Sequence, residues 1–359
     1  MGRLFLATLV MSLFFNMKTT KAQENIAPPN RSFSVNVQLG TTKIYPCEPV
    51  VAIMTFQNTS KQTQSLKAVW EGGVTVHAEG QNPQSTVQSN FIIELPPPQT
   101  RSFQGGQKIE FTYSLQLGMG RKSLFPSPGV YWVQGRFAGI YSAPALVEVF
   151  SPSQEDEGAL SYVREHSLYR YFLWRDIRGL ASDEEGNRYM VSQGRGKPNG
   201  ISSVAIEAQL SELVRLFPNS RYVSWAKLSL SLFTRMKIEH KAEVPNTIRS
   251  LLSQNNSQQV QDYTRQRFGQ EAFEQAIAAK KEFRPSDVEL KKLQDQITEM
   301  APTLIDPVNA RAWIAASEIA RERGLPKEQV SLLSKAVDTK AEATLAEEAI
   351  LLQVVPLHQ

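Results

Sequence analysis

SLFPSPGVYWVQGRFAGIYSAPALVEVFSPSQEDEGA, residues Ser123–Ala159, holds the boundary between two architectures. Val130–Phe137 and Ala145–Val149 alternate apolar with polar or small residues, the period of a half-buried strand. Ser151–Gly158 is a polar, acidic exit that reads as a linker, and beyond it the apolar spacing becomes helical. A chain of 359 residues exceeds the usual size of a single core, so two domains are expected: residues 32–150 all-β and 159–359 all-α.

Upstream of the boundary the period of two recurs. Phe33, Val35, Val37 and Leu39 alternate; Val50–Phe56 is apolar on both faces, as suits a central strand. Leu66, Ala68 and Trp70 alternate, Glu71-Gly72-Gly73 marks a turn or bulge, and Val74, Val76 and Ala78 resume. Phe91–Leu95 is stopped by Pro96-Pro97-Pro98, which cannot donate to a ladder, and Ile109–Leu117 gives the cleanest alternation. Seven or eight strands without an intervening helix predict an antiparallel β-sandwich. Within it, Ser127-Pro128-Gly129-Val130-Tyr131-Trp132-Val133 resembles the Gly-x-Tyr-x-Cys corner of immunoglobulin-like domains. The resemblance implies a Tyr131 hydroxyl bonded back to the backbone. Val133 stands where that family carries cysteine, so a disulfide-free bacterial version is implied.

Downstream, Glu155, Asp156 and Glu157 precede apolar positions that predict a helix over Ala159–Ile177, where acid offsets the positive end of the dipole. Ser182–Gly200 reads as a loop; Asp183–Asn187 lacks the spacing of a calcium loop. Val204, Ala208, Leu213 and Phe217 predict one helix, Pro218-Asn219-Ser220 stops it, and Tyr222–Phe233 predicts its partner. This pair resembles a tetratricopeptide unit, as does a second set counted from Trp313: Ala316, Ser317, Ala320, Gly324, Leu333 and Ala336. Asp306-Pro307 is expected to cap that second helix, and Thr247–Leu252, Gln258–Phe283 and Asp287–Met300 read as further helices. The resemblance to a tetratricopeptide-like array covers roughly 160–355.

The N-terminus has the layout of a secretory signal: Arg3, then apolar Leu4–Phe15, then a polar approach ending at Ala22. Residues 1–22 are therefore expected to be a signal peptide and 23–31 a disordered leader. Removing Arg3, Lys18 and Lys21 from 39 basic residues leaves 36 against 35 acidic ones, a net of +1 instead of +4. That balance argues against a nucleic-acid surface. Cys47 is the sole cysteine, so no intramolecular disulfide can form, which favours a bacterial periplasmic or secreted protein over a disulfide-rich animal domain. It is read as a small half-buried residue before a strand.

Catalytic signatures are absent. The four histidines, His77, His166, His240 and His358, form no HExxH pair, and no CxxC, GxSxG or GxxxxGK[ST] occurs. No cofactor, metal or enzymatic activity is expected. The expected function is a non-catalytic interaction protein of the cell envelope, whose helical array binds a protein or peptide through exposed residues such as Tyr169, Arg170, Tyr189 and Arg221. Two alternatives use the sandwich. One is glycan binding with Trp70 and Trp132 as stacking platforms; the other is proteinase inhibition through the basic, proline-stiffened Gly118–Pro128.

Overall fold

The computed structural model of the chain describes residues 32–67, 72–79, 87–89, 100–117, 122–173, 202–279 and 282–338. It is a β part followed by an α part, with antiparallel sheets first and helices after. The strands are β1 (Phe33–Leu39), β2 (Lys43–Ile44), β3 (Val50–Asn58), β4 (Gln64–Lys67), β5 (Gly72–Ala78) and β6 (Val87–Ser89). They continue with β7 (Thr100–Phe103), β8 (Lys108–Leu115), β9 (Gly129–Phe137), β10 (Ile140–Tyr141) and β11 (Ala145–Val149). One sheet has the order β1-β3-β8, the other β2-β11-β9-β5-β6 with β10 paired to β9; β4 and β7 form a separate ribbon. All pairs are antiparallel except β2 with β11.

The two larger sheets share one core, and the alternation in sequence is what fills it. Val35, Val37 and Met54 from the first sheet meet Val74, Val133 and Val147 from the second. Phe56 anchors the centre, with its ring 4.6 Å from Phe137, 5.1 Å from Phe33 and 5.3 Å from Phe103 between centroids. Gly135 on β9 faces inward where a Cβ would lie 2.5 Å from Val37 Cγ2, so only glycine fits there. The Tyr131 hydroxyl donates to the Ser127 carbonyl at 2.9 Å, the bond expected from its sequence setting.

The helices are α1 (Gln154–Glu165), α2 (Ser203–Leu216), α3 (Tyr222–Gln254), α4 (Gln258–Phe268), α5 (Gln270–Ala278), α6 (Asp287–Met300), α7 (Val308–Glu322) and α8 (Pro326–Asp338). Helix α1 begins inside the stretch read as linker, because the Ser153 hydroxyl accepts from the Asp156 N–H and caps it. It stops at Glu165 instead of running to Ile177: Ser167 sits in the left-handed region at φ 54° and a 3-10 turn, Leu168–Tyr171, follows. Helix α3 is continuous across Pro245, where two separate helices were expected. The expected Gln258–Phe283 helix is instead two helices, broken at Gly269, whose φ of 93° ends the first. Asp306 provides no side-chain cap for α7. The expected Asp287–Met300 helix is found at those bounds, capped by Ser286.

The two parts touch through the loop Tyr45–Pro49 and the start of α3. The carboxylate of Glu48, 1% exposed, accepts from the Tyr45 N–H at 2.9 Å. It also accepts from Arg221 Nε at 2.8 Å, Arg221 Nη2 at 3.2 Å and Trp225 Nε1 at 3.1 Å. The Tyr222 hydroxyl donates to the Pro46 carbonyl at 2.8 Å, and Arg164 donates to the Pro126 carbonyl. Cys47, 2% exposed, packs with the helical core, with Ser123 of the β part also beside its thiol. Asp156 accepts from Ser220 Oγ at 2.7 Å and from the Arg221 N–H at 3.0 Å. The acidic start of α1 thus serves both as helix start and as a tie to α3.

Candidate binding cleft in the helical part

Arg235 lies on α3 among the core residues Leu232, Phe233, Met236 and Ile238. Its side chain is only 4% exposed, and a guanidinium there must be matched by acid. Three carboxylates supply the match: Glu239 at 2.8 Å from Nε, Glu318 at 2.6 Å from Nη1, and Glu322 at Nη2. Burial alone would lower the pKa of Arg235, but Glu318, Glu322 and Glu239 overcome it and the net shift is upward.

This cluster forms the floor of an open cleft of about 770 Å³. One wall is the face of α3 carrying Arg235, Glu239, Ala242, Glu243 and Asn246, spaced by three and four residues so that they share a side. Asp287 and Leu290 of α6, and Glu318, Arg321 and Glu322 of α7, form the rest with Arg323 beyond it. The segment Phe283–Pro285 also lines the cleft, pinned by Asn246, whose side chain donates to the Phe283 carbonyl at 2.7 Å and accepts its N–H at 2.9 Å. Arg323 is spent on Asp287 at 2.8 Å and on Gln294 at 3.0 Å. Glu318 and Glu322 stay 29% and 28% exposed, and Arg284 and Arg321 stand exposed beside them. Three carboxylates against one guanidinium leave the floor negative, while the exposed Arg284 and Arg321 bring positive charge to the same lining.

The residues expected from the sequence to contact a partner lie elsewhere. Tyr169 is 8% exposed and belongs to the helical core, so it offers no contact surface. Arg170 is half-buried, and Arg221 is committed to Glu48 with its guanidinium 3.8 Å over the Tyr45 ring. Tyr189 and Trp70 lie outside the described residues. Trp132 is half-buried and, by the alternation of β9, faces away from the core; its cross-strand neighbours are His77 on β5 and Leu146, 46% exposed, on β11. Burial lowers the pKa of His77 there. Of Gly118–Pro128, residues 118–121 lie outside the described residues. The remainder is anchored and not extended, since Leu124 and Phe125 are buried and the Phe125 carbonyl accepts from the Cys47 N–H at 2.8 Å.

Among the described residues no group of three or more His, Cys, Asp or Glu is placed to hold a metal ion, and no helix is long and apolar enough to cross a membrane. Sequence reading missed the Arg235 cluster. Its trace is a basic residue on a helical face with an acid four residues on, and an acidic pair, Glu318 and Glu322, at the same spacing.

No family model and no curated protein matches the chain. Among solved structures it is similar over a part to a β-glucosidase from Listeria innocua in complex with laminaribiose, at 16% identity and TM-score 0.22. That match covers 33% of this chain and 16% of the glucosidase. A cycloisomaltooligosaccharide glucanotransferase from Paenibacillus sp. matches at 16% identity and TM-score 0.21, over 36% of this chain and 18% of that one. The sporulation control protein Spo0M from Bacillus subtilis matches at 12% identity and TM-score 0.22, over 37% of this chain and 55% of its own. Likeness at this level assigns the chain to no family.

Proposed function

We propose that the chain is an exported, non-catalytic interaction protein of a bacterial cell envelope. In this reading an immunoglobulin-like sandwich is followed by a tetratricopeptide-like helical array, and a protein or peptide partner enters the Arg235 cleft. One observation carries the reading: an open, charged cleft walled by three helices around a buried arginine. An extended segment bearing a basic side chain for Glu318 and Glu322, and an acidic one for Arg284 and Arg321, complements that charge arrangement. The test is a peptide-display selection on the full chain, followed by binding to Glu318→Gln and Arg321→Glu. Selected peptides should carry both charges and lose at least about tenfold in affinity on each variant. Peptides that bind both variants as tightly as the original chain would place recognition outside the cleft and overturn the reading.

A second reading, glycan binding by the β part, has one observation in its favour: Trp132 points outward between His77 and Leu146 on a solvent-facing sheet. Here a soluble oligosaccharide should protect tryptophan fluorescence from a polar quencher, and Trp132→Ala should remove that protection. Equal quenching with and without sugar counts against it.

A further inference from the structure

We infer that Tyr45–Pro49 is a latch that makes the β part and the α part a single cooperative unit and closes the chain's only thiol from solvent. The inference is independent of what the Arg235 cleft binds. Glu48 supplies its core: three of the four donors to its carboxylate, Arg221 Nε, Arg221 Nη2 and Trp225 Nε1, come from the helical part, and only the Tyr45 N–H is its own. A carboxylate 1% exposed cannot lose those donors one at a time without standing buried and unmatched. Opening is therefore all-or-none.

The loop's shape is specific to this task. Cys47 holds φ 67°, a region that residues other than glycine rarely adopt, and the surroundings impose it. Its N–H donates to Phe125 at 2.8 Å, and the preceding carbonyl, of Pro46, accepts from the Tyr222 hydroxyl at 2.8 Å. That turn aims the Cys47 side chain out of the β part into the helical core. The helical core is thus incomplete without a residue from the other part. Burial raises the thiol's pKa, opposed by Arg164 and Ser123, so closure also keeps it protonated. A hinge over 151–158 is incompatible with this arrangement, because Asp156 in that stretch is itself bonded to Ser220 and Arg221.

Cys47 provides its own readout. The full chain is incubated with a water-soluble maleimide at pH 8, with and without denaturant, and labelling of the single thiol is timed. The native chain should label at least about 100-fold more slowly than the denatured one, as expected of a group exposed only by opening of a stable unit. Arg221→Met, which keeps the aliphatic stem but removes the cation, should accelerate native labelling by roughly two orders of magnitude. Tyr222→Phe preserves shape and removes one donor, so a smaller acceleration of about fivefold is expected while circular dichroism stays native. Arg215→Met, which breaks only the exposed pair with Glu212, should leave the rate unchanged. Native labelling as fast as in denaturant would overturn the latch. So would folded Arg221→Met and Tyr222→Phe chains that label at the original rate.

Discussion

Arg235 carries a buried charge in the α part that is matched by three acids from α3 and α7. Arg235→Met should destabilise the chain by about 3–5 kcal/mol, since Glu239, Glu318 and Glu322 would then face one another without a cation. Urea unfolding followed by far-UV circular dichroism measures this, and a loss below about 1 kcal/mol would contradict the role. Tyr113 gives a second prediction, in the β part. Burial pushes its pKa up to about 12 from an ordinary 10, so the unfolded chain ionises first as pH rises. The stability it lends is therefore complete below pH 10 and lost as pH climbs from 10 to 12. Tyr131 and Tyr222 shift in the same direction through burial, so Tyr113→Phe should flatten the alkaline fall in melting temperature without abolishing it. An identical fall in the variant would mean that Tyr113 ionises freely.

At the level of elements, Gly135 on β9 marks a close approach of the two sheets, where an added Cβ would meet Val37 and Met54. Gly135→Ala should cost about 1–3 kcal/mol through overpacking, whereas Glu148→Gln at an exposed position of β11 should cost under about 0.5 kcal/mol. Thermal melts of the two variants make the comparison. Strands were legible because half-buried sheets write their period directly: Phe33-Val35-Val37-Leu39 are all core residues. Helix ends were less so. The apolar spacing separates Tyr222–Phe233 from Thr247–Leu252, yet α3 runs on through Pro245 between them, with Ala242 and Ile248 buried on either side. Ser167 carries no sequence mark of a left-handed residue, so α1 was read as too long. Conversely, the Ser153 cap was legible in principle, a serine three residues before an acid, but the acidic run masked it as linker.

At the scale of the whole molecule, a β part followed by an α part is legible in the sequence and the junction between them is not. Local pattern places a residue on a face; it cannot say that Glu48 meets Arg221 and Trp225, more than 170 positions away. For the same reason the sequence offers Arg221 as a partner contact, whereas the fold commits it to Glu48. The junction makes a thermodynamic prediction for the intact protein. Differential scanning calorimetry should give one transition, with tryptophan fluorescence and far-UV circular dichroism superimposing on it, because Cys47 of the β part completes the helical core and Glu48 takes its donors from the α part. Glu48→Gln keeps the shape of the side chain and one acceptor oxygen for Trp225 or Arg221, but removes the charge. Arg221 is 20% exposed and rests on the Tyr45 ring, so water can rehydrate the orphaned cation in part. The loss should therefore be about 2–3 kcal/mol, smaller than that for Arg235→Met. Because the weakened contact is the one that joins the parts, the single transition should separate into two. One transition at an unchanged temperature would mean that the parts unfold together for reasons other than Glu48.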